Sequence, residues 1–245
     1  MGRVGTAHHP EGEPGVRRIT PHRSLSDLVA EQPNTAAVLD HFGLDSCCHG
    51  QWSLDDACRV AGLDPSTVNA ALDAAKTDHE SVIALSPPEL ADVIVATHHR
   101  YLRDALPLLD KLAAKVLAVH GQRHPELVDV RRLVSELRAD LEPHLDKEER
   151  CLFPAIHDLF AGDRDFTFGS ITNPIGVMVA EHDRAGELLT HLRAHTGSYR
   201  PPDDACASYR SLYERLAALE HDTHVHVHKE NHLLFPAAVA KETER

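Results

Sequence analysis

The chain has 245 residues, and 38 acidic against 25 basic side chains give it a formal net charge of −13. This charge disfavours a nucleic-acid-binding surface, and no apolar segment approaches the length that spans a membrane. The five cysteines are odd in number and lack disulfide-like spacing, which indicates a soluble protein of a reducing compartment. We therefore expect a cytoplasmic protein with neither nucleic acid nor membrane among its partners.

The N-terminal part of the chain predicts a tail and a small helical unit. Residues 1–20 contain glycine and proline, lack the apolar centre of a signal peptide and are predicted to be disordered. Helical segments punctuated by turn residues follow between 21 and 76. Within this unit Cys47 and Cys48 are adjacent, and adjacent cysteines seldom bridge each other without backbone strain. Two interpretations are open: thiols that exchange, transfer electrons or hold a metal transiently, or buried free cysteines without such a role.

Four long helices are predicted after a linker that begins near residue 77. Ser86-Pro87-Pro88-Glu89 supplies an N-cap, prolines in the first turn and a capping-box glutamate. Asn173-Pro174 and Pro202-Asp203 open later helices in a similar way. The predicted helices are 87–119, 126–152, 174–196 and 203–234. Their short connections favour an antiparallel, up-and-down four-helix bundle. The expected division of the chain is a tail (1–20), a small helical domain with its linker (21–80) and the bundle (81–245).

A repeated phrase marks the bundle, at 144–156 and again at 226–238. Each copy opens with a histidine, and a glutamate four residues later projects from the same helical face. A single histidine precedes each copy at a similar distance. The six residues are His99, His144 and Glu148 in the first half, and His182, His226 and Glu230 in the second. The duplication predicts two helical hairpins that each bring one histidine and one His-x3-Glu pair.

The polar residues of the repeat interrupt stripes that are otherwise apolar. A buried stripe would ordinarily continue with leucine or valine, because burying polar groups is costly unless they hydrogen-bond or bind a metal. One interruption is compatible with a hydrogen-bonded core histidine, whereas two at the same register indicate a metal site. Four imidazoles and two carboxylates, without a thiolate, suit iron, manganese or zinc. Two facing glutamates can each bridge two ions, so a dinuclear site uses all six ligands.

Other polar residues near the repeat have two possible roles each. Asp140 and Asp222 stand one turn before the repeated histidines and are candidates to accept a hydrogen bond from a ligating imidazole or to carry protons; solvated surface acids are the alternative. Pro143 predicts a bend in the second helix beside the metal. A second set of histidines on the fourth helix is expected to form a solvated polar face, with an auxiliary metal site or a partner-docking face as alternatives. These are His221, His224, His228 and His232.

These motifs resemble those of the hemerythrin-like di-iron proteins, and within them the repair of iron centres group, also called iron-sulfur cluster repair di-iron proteins. The resemblance covers residues 24–240. The group's metal motif matches the six residues above, together with Glu181-His182-Asp183 and Glu230-Asn231. It favours His99 over the neighbouring His98 as the first ligand. The segment around Cys47 and Cys48 looks like the short domain that precedes the bundle in this group, where a glycine is usual at the place of His49.

The resemblance implies a cofactor and a function. The cofactor is a pair of non-heme iron ions, bridged by an oxo or hydroxo group. Oxygen-carrying hemerythrins place a further histidine one turn after the third-helix ligand, whereas this chain has Gly186 there. The small residue can leave an open coordination position, although close helix packing also explains it.

The implied function is repair or protection of iron-sulfur clusters under nitrosative or oxidative stress. The protein would bind nitric oxide, with an activity like that of a di-iron nitric oxide reductase, or donate iron to damaged iron-sulfur proteins. A hemerythrin-like protein that binds or senses oxygen without turnover is the alternative. The resemblance specifies no electron donor, and a homodimer is compatible with either function.

Overall fold

The computed structural model describes residues 23–31, 35, 38–39, 42–44, 46, 50–75 and 85–244. The predicted tail, Cys47, Cys48 and most of the predicted linker lie outside the described residues. Within them the β-type pairings are two isolated bridges, Ser24 with Ser53 and Phe166 with Gly169. All other regular structure is helical, which confirms the predicted all-α class.

The small N-terminal unit contains helices α1 (Leu25–Glu31), α2 (Leu54–Ala61) and α3 (Pro65–Ala75). Ser53 caps α2 by accepting a hydrogen bond from the Asp56 amide at 3.1 Å. Gly62, at φ +69°, ends the same helix in the left-handed conformation that glycine adopts without strain. The unit has an apolar core of its own, which includes Leu25, Leu39, Leu54, Val68 and Leu72.

Four long helices follow: α4 (87–120), α5 (127–161), α6 (Thr172–His195) and α7 (207–243). The predicted start of α4 agrees with the structure, because Glu89 accepts from the Ser86 amide at 2.9 Å in the capping box. The predicted start of α7 at residue 203 was wrong. This helix begins at Ala207 behind the N-cap Cys206, while the Arg210 side chain donates to the carbonyls of Asp203 and Ala205 at 3.2 Å.

The helices α5 and α7 extend beyond their predicted ends at residues 152 and 234, and they reach Ala161 and Thr243. A wider helical turn makes this extension possible. Both contain a π-helical segment, Glu148–Leu152 and Glu230–Leu234, and each is followed directly by Phe-Pro. A proline ring crowds the carbonyl four residues earlier, and a wider turn accommodates it without ending the helix. Pro143, by contrast, lies inside the α-helical segment Leu127–Lys147, so the departure from α geometry occurs after the repeated His144 rather than at the proline.

Neighbouring long helices run antiparallel, as their side-chain pairs show. On α4 and α5, residue 103 pairs with 146 and residue 110 with 131; on α5 and α6, residue 140 pairs with 184 and residue 147 with 181. On α6 and α7, residue 182 pairs with 231 and residue 193 with 220, and on α7 and α4, residue 222 pairs with 98 and residue 206 with 120. This order agrees with an up-and-down four-helix bundle.

Two apolar clusters fill the space between the long helices. The larger includes Leu106, Leu137, Leu189 and Leu216, one from each helix. The second includes Ile94, Leu152, Met178 and Leu234, again one from each. Along every helix the predicted ligands lie where one cluster gives way to the other. The site is therefore enclosed by apolar packing at both ends. No helix in the described part of the chain has both the length and the apolar character to cross a membrane.

The N-terminal unit packs on α7, where α1 contacts the segment Glu230–Leu234. Gly50 lies close to α7. A Cβ atom at this position would lie 3.1 Å from Nε2 of His232 and 2.9 Å from Cβ of Ser26. Only glycine fits such a contact without displacing a neighbour. The small unit therefore lies beside a π-helical segment that carries one of the predicted metal ligands.

Candidate metal centre

The six residues predicted to bind metal meet in the middle of the bundle. They form two groups whose potential ligand atoms lie within 4.8 Å of one another: His99, Glu148, His226 and Glu230, and His144, Glu148, His182 and Glu230. Each histidine belongs to one group and each glutamate to both. Each of the six is at most 1% exposed. The interruptions of the apolar stripes thus converge on one buried place.

Each glutamate spans the two histidine pairs. The Oε2 atom of Glu148 lies 3.4 Å from Nε2 of His99 and 3.3 Å from Nε2 of His144. The two oxygens of Glu230 face different histidines. Oε1 lies 2.8 Å from Nε2 of His226, and Oε2 lies 3.2 Å from Nε2 of His182. Each of the two carboxylates therefore faces one histidine of each group. Two bridging carboxylates require this arrangement.

The histidine rings are held so that their Nε2 atoms face the site. The Nδ1 atoms of His99, His144 and His182 donate at 2.9 Å to oxygen atoms of neighbouring side chains. Those acceptors are Glu149, Glu181 and Asn231. Because Nδ1 carries the proton, the Nε2 lone pair is available to a metal. Within each pair the two Nε2 atoms lie 3.1 Å apart, His99 with His226 and His144 with His182.

The donor set fits a pair of cations. Two neutral imidazoles that direct Nε2 lone pairs at each other repel unless a proton or a metal lies between them. In the described residues, both oxygens of Glu148 and Oε2 of Glu230 are buried and form no hydrogen bond of good geometry. A buried carboxylate left in this state is costly, and a cation in each group would satisfy it. Imidazole and carboxylate ligands suit iron, manganese or zinc.

Proton binding balances the charge of the two glutamates when no metal does so. Burial opposes a charge on His99, but the carboxylates of Glu148 and Glu230 raise its pKa to about 10. His144 is likewise disfavoured by burial, and Glu148 raises its pKa to about 9. Burial works against ionised Glu230 too, yet the surrounding histidines hold its pKa well below the usual range. Binding of a metal would therefore release protons from the site.

The two aspartates predicted to support the ligands have other partners. Asp140 accepts from Nε of Arg184 at 2.5 Å, and Asp222 accepts from Nδ1 of His98 at 2.9 Å. The residues that hydrogen-bond to ligating rings are Glu149, Glu181 and Asn231 instead. Each of these adjoins a ligand in sequence, next to Glu148, His182 and Glu230. Glu149 and Asn231 lie within the two copies of the repeated phrase, and Glu181 precedes the single histidine of the second half. Adjacency to a ligand is therefore the sequence signal that points to them.

His98 lies beside the site, where its ring packs against the predicted ligand His226. Lys229 donates to its Nε2 at 2.8 Å, and its Nδ1 donates to Asp222. Since lysine has only donors and a carboxylate only acceptors, these contacts fix the His98 tautomer. The ring stacks on His226, with centroids 5.5 Å apart and planes 5° from parallel. Nδ1 of His226 is buried with no hydrogen-bond partner in the described residues. The other three ligand rings are positioned by a hydrogen bond from Nδ1, whereas the His226 ring is positioned by this stacking.

The second set of histidines on α7 is not the solvated face that was predicted. His228 is 3% exposed and His224 9%, although His221 is exposed. The rings of His228 and His232 lie 4.9 Å apart. The N-terminal unit contributes to the difference at the end of this set, because it packs on Glu230–Leu234 and brings Gly50 against His232. A single-helix pattern could not show that another domain covers this face.

A surface cleft leads towards the site between α5 and α6. Its volume is about 220 Å³, and His144 forms part of its wall. The other lining residues include Asp140, Pro143, Lys147, Glu181 and Arg184. The cleft connects solvent with the outer edge of a predicted ligand. Gly186, one turn after His182 on α6, is buried.

This fold and this cluster define the hemerythrin class of cation-binding proteins. Residues 91–238 match the Hemerythrin HHE cation binding domain. Residues 21–76 match ScdA_N, a domain of unknown function. The two matches coincide with the bundle and with the small helical unit. Binding of a cation by the bundle agrees with the convergence of four imidazoles and two carboxylates described above.

The similarity to curated proteins extends over both domains. The chain is 31% identical over 220 residues to the iron-sulfur cluster repair protein ScdA of Staphylococcus haemolyticus, an alignment that covers 89% of this chain and 98% of that protein. It is 35% identical over 220 residues to the iron-sulfur cluster repair protein YtfE of Edwardsiella ictaluri (89% and 96% covered), and 32% over 222 residues to YtfE of Escherichia coli O157:H7 (89% and 97%). The chain belongs to this family of hemerythrin-domain iron-sulfur cluster repair proteins.

Proposed function

We propose that this protein holds two iron ions in the bundle and uses them to repair or protect iron-sulfur clusters. The observation that carries the proposal is the placement of Glu148 and Glu230, each of which faces one histidine of either pair. A site for one ion would leave half of the imidazoles without a role. The names of the relatives support a function in cluster repair, and the chemistry of the ligands supports the binding of iron.

The protein residues prepare the site in three ways. Glu149, Glu181 and Asn231 fix the tautomer and orientation of three ligand rings. The apolar clusters on both sides exclude water, which strengthens electrostatic interactions inside the site. Iron bound there would supply redox electrons and a coordination position for a small molecule.

Gly186 supports a coordination position that remains available to such a molecule. It occupies the place one turn after His182 where a fifth histidine would stand in an oxygen carrier. Glycine has no side chain that could reach the site, and its helix continues without interruption through His195. We infer that the small molecule is nitric oxide, which would be reduced to nitrous oxide or would trigger release of iron to a damaged cluster.

Mixing the di-ferrous protein with nitric oxide under anaerobic conditions tests this proposal. Nitrous oxide formation with both irons retained supports reduction, whereas iron release without nitrous oxide supports donation. A protein that leaves nitric oxide unreacted but forms a reversible oxygen adduct would instead be a hemerythrin-like oxygen binder. Metal analysis before and after mixing distinguishes these results.

The cysteine pair of the small domain is proposed to pass electrons or iron between the bundle and the damaged cluster. The packing of the small domain beside Glu230–Leu234 supports this role. Replacement of both Cys47 and Cys48 by serine should leave the di-iron spectrum intact, because the ligand set contains no thiol, while recovery of a damaged iron-sulfur enzyme is lost. Repair at the normal rate would reduce the pair to packing residues.

A further inference from the structure

At the other end of the bundle an exposed cysteine meets a buried histidine. His120 ends α4, and at 1.5 Å per residue the helix places it roughly 30 Å from His99. Its Nε2 atom lies 3.1 Å from Sγ of Cys206, the N-cap residue of α7. Cys206 is exposed to solvent, whereas His120 is only 5% exposed. This pair lies outside the metal centre.

The histidine ring is fixed by packing and has one polar contact. Its centroid lies 5.4 Å from the ring of Tyr209 and 6.4 Å from that of His124. Among the described residues, Nδ1 of His120 is buried without a hydrogen-bond partner. The contact with Sγ is therefore the polar interaction that this buried imidazole makes. The ring is held in position to exchange a proton with the thiol of Cys206.

The sulfur also lies at the N-terminus of a helix. Cys206 precedes Ala207–Lys229, and the first amides of a helix stabilise a nearby anion. Its sulfur makes no capping hydrogen bond to that helix, so it stays open to a reagent. Two acids at this end of the bundle are paired with a cation or an imidazole, which weakens their repulsion of a thiolate: Asp204 with Arg123 and His124, both at 3.0 Å, and Glu126 with His124 at 3.2 Å.

We propose that Cys206 is a site of reversible mixed-disulfide formation with low-molecular-weight disulfides. The thiol proton passes to His120, and Sγ attacks one sulfur of the disulfide. A new sulfur–sulfur bond forms as the bond within the reagent breaks. The leaving thiolate takes the electron pair and then the proton from His120. Cys206 is oxidised and the leaving sulfur is reduced, so no further oxidant is needed.

Two other cysteines serve as internal references. Cys151 is also exposed, but its sulfur makes no hydrogen bond within the described part of the chain. Cys58 is buried, and burial, with help from Asp55, raises its pKa. An ordinary thiol with a pKa near 8.5 is about 3% ionised at pH 7, so full ionisation raises its rate at most about thirtyfold, and the lower nucleophilicity of a weaker base reduces this gain. We expect Cys206 to react roughly tenfold faster than Cys151.

The test uses the full-length, metal-loaded protein and glutathione disulfide at pH 7, with mass spectrometry of peptides to follow each cysteine. His120→Phe keeps the ring packing but removes the base, and Cys206 should then react at the rate of Cys151. His195→Gln, which removes an imidazole of α6 that faces Asp129, is the control and should leave the rate of Cys206 within twofold. If His120→Phe does not fold, His120→Gln, which cannot accept the thiol proton in the same way, gives the same comparison. Equal rates for Cys206 and Cys151 in the unchanged protein, or a Cys206 rate that neither His120 variant lowers, would overturn the proposal.

Discussion

Replacement of Asn231 should weaken one metal position and leave the other nearly unchanged. Asn231 accepts a hydrogen bond from Nδ1 of His182 at 2.9 Å, and His182 belongs to only one of the two groups. Loss of such a support for a ligating histidine typically lowers metal affinity 10- to 100-fold, which corresponds to about 1.4–2.7 kcal/mol. In Asn231→Ala we expect this loss at the position of His144 and His182.

Competition with a chelator of known affinity measures the effect, because loss of two ions with different affinities gives two resolved phases. Asn231→Asp is the matched control, since its carboxylate still accepts from His182 and a charged acceptor strengthens the bond. It should retain both ions at least as tightly as the unchanged protein. Equal weakening of the two phases in Asn231→Ala, or no weakening at all, would refute the assignment of His182 to a single ion.

Three further sets of substitutions test other parts of the structure. The unchanged protein should hold close to two irons per chain, and Glu148→Ala and Glu230→Ala should each lose most of both. His99→Ala or His182→Ala should cause a smaller loss of iron. One tightly held ion that neither glutamate change affects would contradict a dinuclear site. Gly186→His should fill the open position and slow the reaction with nitric oxide, measured by stopped flow in a variant shown to keep both irons, and an unchanged reaction would place the vacancy elsewhere. Arg193→Ala should lower the free energy of unfolding, measured by urea titration, by about 3 kcal/mol. The reason is that the buried carboxylate of Glu220 loses its bidentate partner, which donates to it at 2.6 and 3.1 Å. Replacing both residues, Arg193→Leu with Glu220→Leu, should restore much of the lost stability.

Local sequence determined much of the fold and the composition of the site. The capping box at Ser86 and Glu89 predicted the start of α4, because it is formed by residues within one turn. The repeated His-x3-Glu spacing placed both side chains on one helical face, because the helical period alone decides this. The six residues that the repeat predicts as metal ligands are the six that the structure brings together.

Other features depend on contacts between elements distant in sequence. Phe-Pro normally favours the end of a helix, but helices α5 and α7 continue through it because a π-helical turn and the apolar packing of Phe153 and Phe235 accommodate the proline. The hydrogen-bond acceptors of the ligand rings come from neighbouring helices, so the helical period of the ligand's own helix favoured Asp140 and Asp222 instead. Stacking of His98 on His226 likewise joins α4 to α7.

The second set of histidines shows the same division most clearly. The helical period correctly separated His228 from His226 on α7, since angular position on a helix is a local property. Whether that side meets water is not local, because it depends on which surface packs there. At His232 the N-terminal unit packs on α7 through a glycine at position 50, whose lack of a side chain permits the contact. The sequence by itself determined which residues share a helical face, and the tertiary structure decided which faces are buried and what each buried polar group contacts.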